Sequence, residues 1–263
     1  MTYFTQQDHA SLANQSENTA NGDNDRQLVY DKFVELHRAL HGRLRDHSYD
    51  LHPRSMAAPV LVDGSVTGRC CGETLVLPYL RSREHALVVE RMMGRDRQTM
   101  KTDVQMSRHP VIELRLTPDH FSIEMVVSPE AWLDQQNLIG KLGIQRHRET
   151  FRTLLQRTEG DFRLGFWSGN ELSDMHLTTR QLSRGNNLQE WMSTFADGQD
   201  WLRMGVWYAP DAPALDTHHI VRELLDRMGA LYRVYTFLLW TSNNDFLGFY
   251  GKNYQRQASV RLA

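Results

Sequence analysis

The sequence predicts an α+β fold in which antiparallel sheet elements are covered by helices. Three observations support this prediction. Residues 111–127 alternate apolar and polar side chains on either side of a Pro-Asp turn, which is the pattern of a β-hairpin. Residues 28–45 repeat apolar side chains at helical spacing, which predicts a long helix. The second half contains the motif Arg-x-Gly-x-Trp twice, each copy followed by a helical pattern, which predicts two similar strand–helix units.

The composition excludes several classes of protein. Of the 263 residues, 40% are hydrophobic and 24% are charged, which is typical of a globular protein. No apolar run approaches the roughly 20 residues of a membrane-spanning helix, and the first thirty residues lack the pattern of a secretory signal peptide. The net charge of -2 argues against a generally basic, polyanion-binding protein. We therefore expect no membrane partner.

The only two cysteines, Cys70 and Cys71, are adjacent. Adjacent cysteines rarely form a disulfide with each other because the ring is strained, and two thiols do not complete a zinc site. The pattern favours two small, partly buried side chains. Since no disulfide is expected, the sequence predicts a protein of the cytoplasm.

The beginning of the chain combines a polar segment with the long predicted helix. Residues 1–26 are rich in Gln, Asn, Ser, Thr, Asp and Ala, so they bury too little apolar surface to offset the entropy of ordering. We therefore expect a disordered tail. The remaining chain divides into an N-terminal part, 27–158, and a C-terminal part, 159–263, and the sequence leaves open that the two are one continuous domain.

The N-terminal part continues with a loop region. Residues 53–72 contain two prolines and three glycines, so we expect at most a short strand at 59–62. A strand is predicted at 74–80, and a helix at 83–93 that ends at Gly94.

A helix is predicted directly after the hairpin. Ser128 is a favoured N-cap residue and Pro129 a favoured first helical residue, so the helix should begin there. Gly140 or Gly143 should end it, and a further helix is predicted over residues 147–157.

The two copies of the repeated motif occupy Arg163–Trp167 and residues 203–207. The helix after the second copy should begin at an N-cap, Asp216, and close at Gly229. Residues 231–240 are apolar and aromatic but too few to cross a membrane, which indicates a buried strand or a core helix.

The repeated motif provides the candidate binding residues. On a strand, residues four apart lie on the same face, so each arginine shares a face with the tryptophan of its own copy. Arginine stacks favourably on tryptophan, and the glycine between them leaves space near the backbone. The arrangement predicts a pseudo-symmetric pocket for an anionic or aromatic ligand, lined by Arg163, Trp167, Arg203 and Trp207.

A group of histidines provides a second candidate site. His37 and His41 are four residues apart, so they share one face of the predicted helix and could chelate an ion. Two more histidines, His47 and His52, follow closely. The alternative is that all four are ordinary side chains at the boundary of a solvated helix end, because no complete zinc motif is present.

Basic and aromatic side chains suggest a third, less favoured possibility. Residues 81–115 and 141–163 have an excess of basic over acidic side chains, and Lys252, Arg256 and Arg261 alternate with aromatic residues near the end of the chain. Basic groups that follow phosphates and aromatic rings that stack on bases suit single-stranded nucleic acid. Ordinary solvated faces explain the same pattern, and alternation in a half-buried strand explains Glu113 and Arg115.

The sequence therefore favours a non-catalytic binding or interaction protein of the cytoplasm, whose partner is an anionic or aromatic small molecule, or a protein. The first alternative is a metal-dependent hydrolase that uses the histidine group, and the second is a single-stranded nucleic-acid-binding protein. No cofactor is indicated, and the sequence leaves open whether the protein catalyses a reaction.

Overall fold

A computed structural model describes residues 2–13, 20–62, 74–94, 104–158, 161–167, 177–246 and 248. These residues form an eight-stranded antiparallel sheet with helices packed on it, which confirms the predicted α+β class. The strands are β1 (His52–Pro53), β2 (Leu61–Val62), β3 (Leu75–Leu80), β4 (Val111–Leu116), β5 (Phe121–Val127), β6 (Arg163–Trp167), β7 (Leu177–Thr178) and β8 (Trp201–Tyr208). The helices are α1 (Gln6–Ala13), α2 (Ala20–Asp46), α3 (Arg83–Met92), α4 (Trp132–Leu142), α5 (Gln145–Gln156), α6 (Thr179–Leu182), α7 (Asn187–Ser193) and α8 (Ile220–Leu238).

The strands follow the order β1-β3-β4-β5-β8-β6-β7, and β2 also pairs with β3. β8 lies between β5 and β6 and pairs with β5 from Phe121 opposite Tyr208 to Val127 opposite Leu202. A strand from the predicted C-terminal part thus continues the sheet of the N-terminal part. A boundary near residue 158 would cut through this single sheet.

One face of the sheet is apolar and carries the main core. Alternate residues such as Leu114, Ile123 and Met204 point to this face and are fully buried. The helices α2, α4, α5 and α8 cover it with their own apolar stripes, including the predicted stripe of α2. Within the described residues, no helix combines the length and the apolar character needed to cross a lipid bilayer.

Most of the predicted elements are present. The helix expected over 28–45 lies within α2, the strand at 74–80 is β3, and the helix at 83–93 is α3. Gly94 follows that helix with φ +82°, a left-handed conformation that suits glycine. The hairpin is formed by β4 and β5, from Val111 opposite Val126 to Leu116 opposite Phe121. In the loop region, β1 and β2 are short, and residues 63–73, with both cysteines, lie outside the described residues.

The predicted disordered tail, residues 1–26, is wrong for residues 2–13 and for residues 20–26, which belong to α2. Residues 2–13 are also packed against the rest of the chain. These residues include α1, and Thr2 forms a β-bridge with Asp216. Phe4 is completely buried, with its ring 5.1 Å from the rings of both Phe33 and Phe121. The few apolar residues of this segment are enough because they complete a core that the rest of the chain builds. Residues 14–19 lie outside the described part of the chain.

Three predicted helix boundaries are also wrong. Asp216 is not the N-cap of α8, which begins at Ile220 after His219. Ser128 is part of a turn, in which its hydroxyl donates to the carbonyl oxygen of Ser107 and accepts from the amide of Glu130, so α4 begins only at Trp132. Gly229 does not end a helix but lies within α8, where a Cβ would be 2.8 Å from the hydroxyl of Tyr49. This glycine makes room for a neighbouring ring, and α8 extends to Leu238.

We predict that Phe4→Ala destabilises the protein by about 3–5 kcal/mol, as expected for a buried phenylalanine. The reason is that Phe4 fills the space between the rings of Phe33 and Phe121. Urea unfolding of the variant and the wild type measures this difference. Gln7→Ala, at an exposed position of the same segment, is the control and should change the free energy of unfolding by less than about 0.5 kcal/mol. Equal stability of the Phe4 variant and the wild type would show that the segment does not dock.

Candidate functional site

The second face of the sheet carries a group of buried charged and polar side chains. We call this group the charged sheet face, and its members are Glu113, Arg115, Ser122, Glu124 and Arg203. The strand register brings them together, because Glu113 lies opposite Glu124 and Arg115 lies opposite Ser122 across β4 and β5. On β8, Arg203 is two residues from Gly205, the partner of Glu124, so it lies on the same face.

Two ion pairs organise this face. Arg115 donates from Nε and Nη2 to one carboxylate oxygen of Glu113, at 3.0 and 2.6 Å. Arg203 donates from the same two atoms to Oε2 of Glu124, at 2.7 Å from Nε. The hydroxyl of Ser122 donates to the other oxygen of Glu124 at 2.5 Å. Arg203 is 8% exposed and the other members 1% or less, so these charges are tolerated only because they are paired.

The pKa values of the two glutamates are shifted in opposite directions, although the residues lie directly opposite each other. Burial raises the pKa of Glu113, against the opposing effect of Arg115. For Glu124, the guanidinium groups of Arg203 and Arg115 and the Ser122 hydrogen bond outweigh burial and lower the pKa. Among the described residues, Oε2 of Glu113 has no hydrogen-bond partner. The face therefore combines a carboxyl group whose pKa is raised with one whose pKa is lowered.

Gly205 explains how strands β5 and β8 approach each other at this point. A Cβ at this position would lie 2.4 Å from the carbonyl oxygen of Ile123 and 2.8 Å from Cγ of Glu124. Only glycine allows this approach without a shift of the backbone. The glycine of the repeated motif thus makes space for the side chain of Glu124, which the sequence indicated only in general terms.

The two copies of the repeated motif are neighbouring antiparallel strands of the sheet. Arg163 lies opposite Gly205, and Gly165 lies opposite Arg203, so each arginine faces the glycine of the other copy. The two arginines are diagonal neighbours on one face, at a separation of roughly 7–8 Å between their backbones. The internal repeat itself stays a prediction, because residues 168–176 lie outside the described part of the chain.

The four residues of the predicted pocket differ in their surroundings. Arg163 is exposed, whereas Arg203 is nearly buried in its ion pair with Glu124. Trp207 is partly buried on the same face of β8, and the side chain of Trp167 is outside the described part of the structure. The register places Arg163, Arg203 and Trp207 on one face of the sheet, whereas Trp167 pairs with Trp201, at the other end of β8 from Trp207. The pocket itself stays a prediction.

The four clustered histidines do not converge on one point. The rings of His37 and His41 stack at 5.3 Å, and Nδ1 of His37 lies 3.0 Å from the hydroxyl of Tyr79. Burial lowers the pKa of both histidines, and both line a groove of about 690 Å³. His47 instead bonds to the carbonyl oxygen of Arg43, one turn back in α2.

His52 has a separate partner, since its Nε2 lies 2.8 Å from a carboxylate oxygen of Asp50. In the described ranges, no three His, Cys, Asp or Glu side chains are grouped as metal ligands. His37 and His41 share α2, whereas His47 follows the end of that helix and His52 lies in β1.

Two arginines of the segments considered for nucleic acid are used inside the protein. Arg81 donates from Nη2 to both oxygens of Asp134 at 2.6 Å, and Arg115 is held by Glu113. Neither guanidinium is exposed to meet a phosphate. The basic and aromatic residues from 249 onward lie outside the described part of the chain.

The sequence analysis missed Glu113, Arg115, Ser122 and Glu124 as site residues. Alternation along a hairpin predicts which residues share a face, but not that both faces are buried. The available signal was the pairing of charges: Glu113 and Arg115 on one strand lie opposite Ser122 and Glu124 on the next.

The comparisons with known proteins give no family, since no family model matches the chain and no curated protein is significantly similar in sequence. The class of protein must therefore be argued from the fold and the site.

We predict that the Glu113 carboxyl group makes the wild type less stable as pH rises, and that Glu113→Gln abolishes this decline. The folded state raises the pKa of Glu113 above its ordinary 4.5, so it favours the proton more than the unfolded chain does. Stability from this group is therefore present below pH 4.5 and declines as pH rises through the folded pKa. Urea unfolding at several pH values should show that the free energy of unfolding of the variant, relative to that of the wild type, increases with pH.

Glu124→Gln is the matched comparison. It removes the ionised carboxylate that holds Arg203, so it should cost about 3–5 kcal/mol at neutral pH. An equal cost for both glutamine variants, with no dependence on pH, would contradict the opposite pKa shifts of the two glutamates.

We predict that Gly205→Ala destabilises the protein by about 1–3 kcal/mol, because its Cβ would meet the backbone of Ile123. Gly42→Ala is the control, since a Cβ there meets nothing within 4 Å and should stabilise α2 by about 0.4–1 kcal/mol. Thermal unfolding of both variants shows whether each substitution stabilises or destabilises the protein. A neutral Gly205 variant would show that β5 and β8 can separate without loss.

Proposed function

We propose that the protein binds an anionic small molecule between Arg163 and Arg203, on the side of the charged sheet face next to Trp207, without changing it chemically. The observation that carries this proposal is the register of β6 and β8. It places each arginine opposite a glycine and both arginines on one face. Nε and Nη2 of Arg203 already bond to Glu124, so the exposed Arg163 would make the flat two-pronged contact with a carboxylate or phosphate. The charge of Arg203 beside it would add to the attraction.

The balance of charge on the face supports an anionic ligand. When Glu113 keeps its proton, the ionised groups are Glu124 and three arginines, Arg115, Arg203 and Arg163. The positive excess attracts anions, and burial strengthens the attraction because little water screens it. A protonated Glu113 also has an O–H to donate, and its Oε2 is the oxygen without a partner among the described residues.

An aromatic group on the ligand would find a partner in Trp207, which follows Arg203 by four residues on the same face and is partly exposed. A ring that stacks on this indole could carry its acidic group to the arginines. The proposal includes a location in the cytoplasm, supported by two adjacent cysteines that are poorly placed to bridge each other.

We predict that Arg163→Ala weakens the binding of an anionic ligand about 10- to 100-fold, the equivalent of one charge-assisted hydrogen-bond partner. The test titrates phosphate, citrate, adenosine monophosphate and indole-3-acetate into the purified protein by calorimetry. Arg163 is exposed, so the variant should fold as the wild type does. Arg45→Ala, an exposed arginine at the end of α2, is the matched control and should bind normally.

Two results would contradict the proposal. One is equal affinity of the Arg163 variant and the wild type for every anion that binds. The other is that none of the four compounds binds and that the Arg163 variant folds with unchanged stability. In that case the charged sheet face would have a purely structural role.

A further inference from the structure

A cavity of about 420 Å³ lies among the helices that cover the apolar side of the sheet. It is bounded by α4, α5 and the C-terminal end of α8, so it is separate from the charged sheet face. Six titratable side chains that the proposed function does not use line it: Asp50, Arg81, His85, Lys141, His147 and Tyr232.

Lys141 is the unusual member of this group because it is only 5% exposed. Its Nζ donates to the carbonyl oxygen of Phe237 at 2.5 Å and to the side-chain oxygen of Asn244. The ammonium also lies 4.7 Å from the centre of the Phe237 ring. Among the described residues, no carboxylate lies within ion-pair distance of it, since the nearby Asp134 is held by Arg81.

This environment favours the neutral, nucleophilic form of the Lys141 amine. Burial lowers the pKa of Lys141 to about 8, against the opposing charge of Asp134. Two N–H groups of Nζ donate to the oxygens of Phe237 and Asn244. In the charged amine the third N–H has no acceptor among these two oxygens, and in the neutral amine the lone pair takes the place of that N–H. A desolvated lysine in a cavity is a typical amine nucleophile toward carbonyl compounds.

The same cavity holds groups that can move protons. Nδ1 of His85 lies 3.1 Å from a carboxylate oxygen of Asp50, which orients the imidazole. His147 lines the opposite side, on α5, and burial together with the charges of Lys141 and Arg146 lowers its pKa. A neutral imidazole can accept a proton near neutral pH and return it.

We propose that Lys141 forms an imine with the carbonyl carbon of a small aldehyde or 2-oxo acid that enters this cavity. The lone pair of Nζ attacks the carbonyl carbon, and the electron pair of the C=O bond moves to the oxygen. The nitrogen then loses a proton to an imidazole, and the oxygen takes one proton to become a hydroxyl group. The resulting hydroxyl group takes a proton and leaves as water, so one C=N bond replaces one C=O bond. His147 and His85 carry these protons between the nitrogen and the departing oxygen.

The test traps this imine in the full-length protein with glyoxylate and sodium cyanoborohydride at pH 7.5, followed by digestion and mass spectrometry. The chain contains four lysines, Lys32, Lys101, Lys141 and Lys252, so each site can be followed separately. At this pH an ordinary lysine is about 0.1% neutral, whereas an amine with a pKa of about 8 is roughly one quarter neutral. We expect Lys141 to be modified at least about tenfold faster than Lys32, which is paired with Asp8.

Controls separate reactivity from simple exposure. In guanidinium chloride all four lysines should react at similar rates, and Lys32→Arg should leave the rate at Lys141 unchanged. His147→Ala should slow modification at Lys141 and not at Lys32. Modification of Lys141 at or below the rate of Lys32 in the folded protein would overturn the proposal, as would modification of Lys141 only after unfolding. In either case the role of Lys141 would be to bind the end of α8.

Discussion

The structure depends on the pairing of buried charges in the central strands. Glu113 with Arg115 and Glu124 with Arg203 lie on the face of β4, β5 and β8 opposite the main core. Because side chains alternate, a slip of one residue in any of these strands would place ionised groups into the apolar core. The cost of an unpaired buried charge, several kcal/mol for each ion, therefore fixes the register of the whole sheet. The same register brings Arg163 next to Arg203.

A third buried ion pair, between Arg81 and Asp134, fixes helices that cover the sheet. Arg81, at the end of β3, bonds to Asp134 of α4 through both carboxylate oxygens and to the carbonyl oxygen of Trp240. Asn137 and Lys141, further along α4, donate to the last carbonyl groups of α8 and its exit. These donors satisfy carbonyl groups that a helix end leaves without partners. One face of α4 thus holds the end of α8, and this arrangement creates the cavity beside Lys141.

Local patterns predicted the elements whose signal lies within a few residues. The stripe of α2 and the alternation of β4 and β5 each bury one face, and the sequence shows this directly. The predictions that were wrong depended on contacts between residues that are far apart in the chain. Phe4 is ordered by Phe33 and Phe121, and Gly229 is required by Tyr49, which is far away in the chain. The candidate site was predicted in part for the same reason, because the arginines belong to a visible motif while the burial of their carboxylate partners depends on the assembled sheet.

The two proposed sites share one physical property. Glu113 and Lys141 are both buried, and both have their pKa shifted by burial toward the neutral form. Glu113 bonds to Arg115 through one carboxylate oxygen only, whereas both oxygens of Glu124 and of Asp134 accept hydrogen bonds. A carboxyl oxygen without a partner and an amine without a carboxylate contribute less to stability than paired groups would. Such groups keep unused capacity for hydrogen bonding or reaction, which fully paired groups have already used.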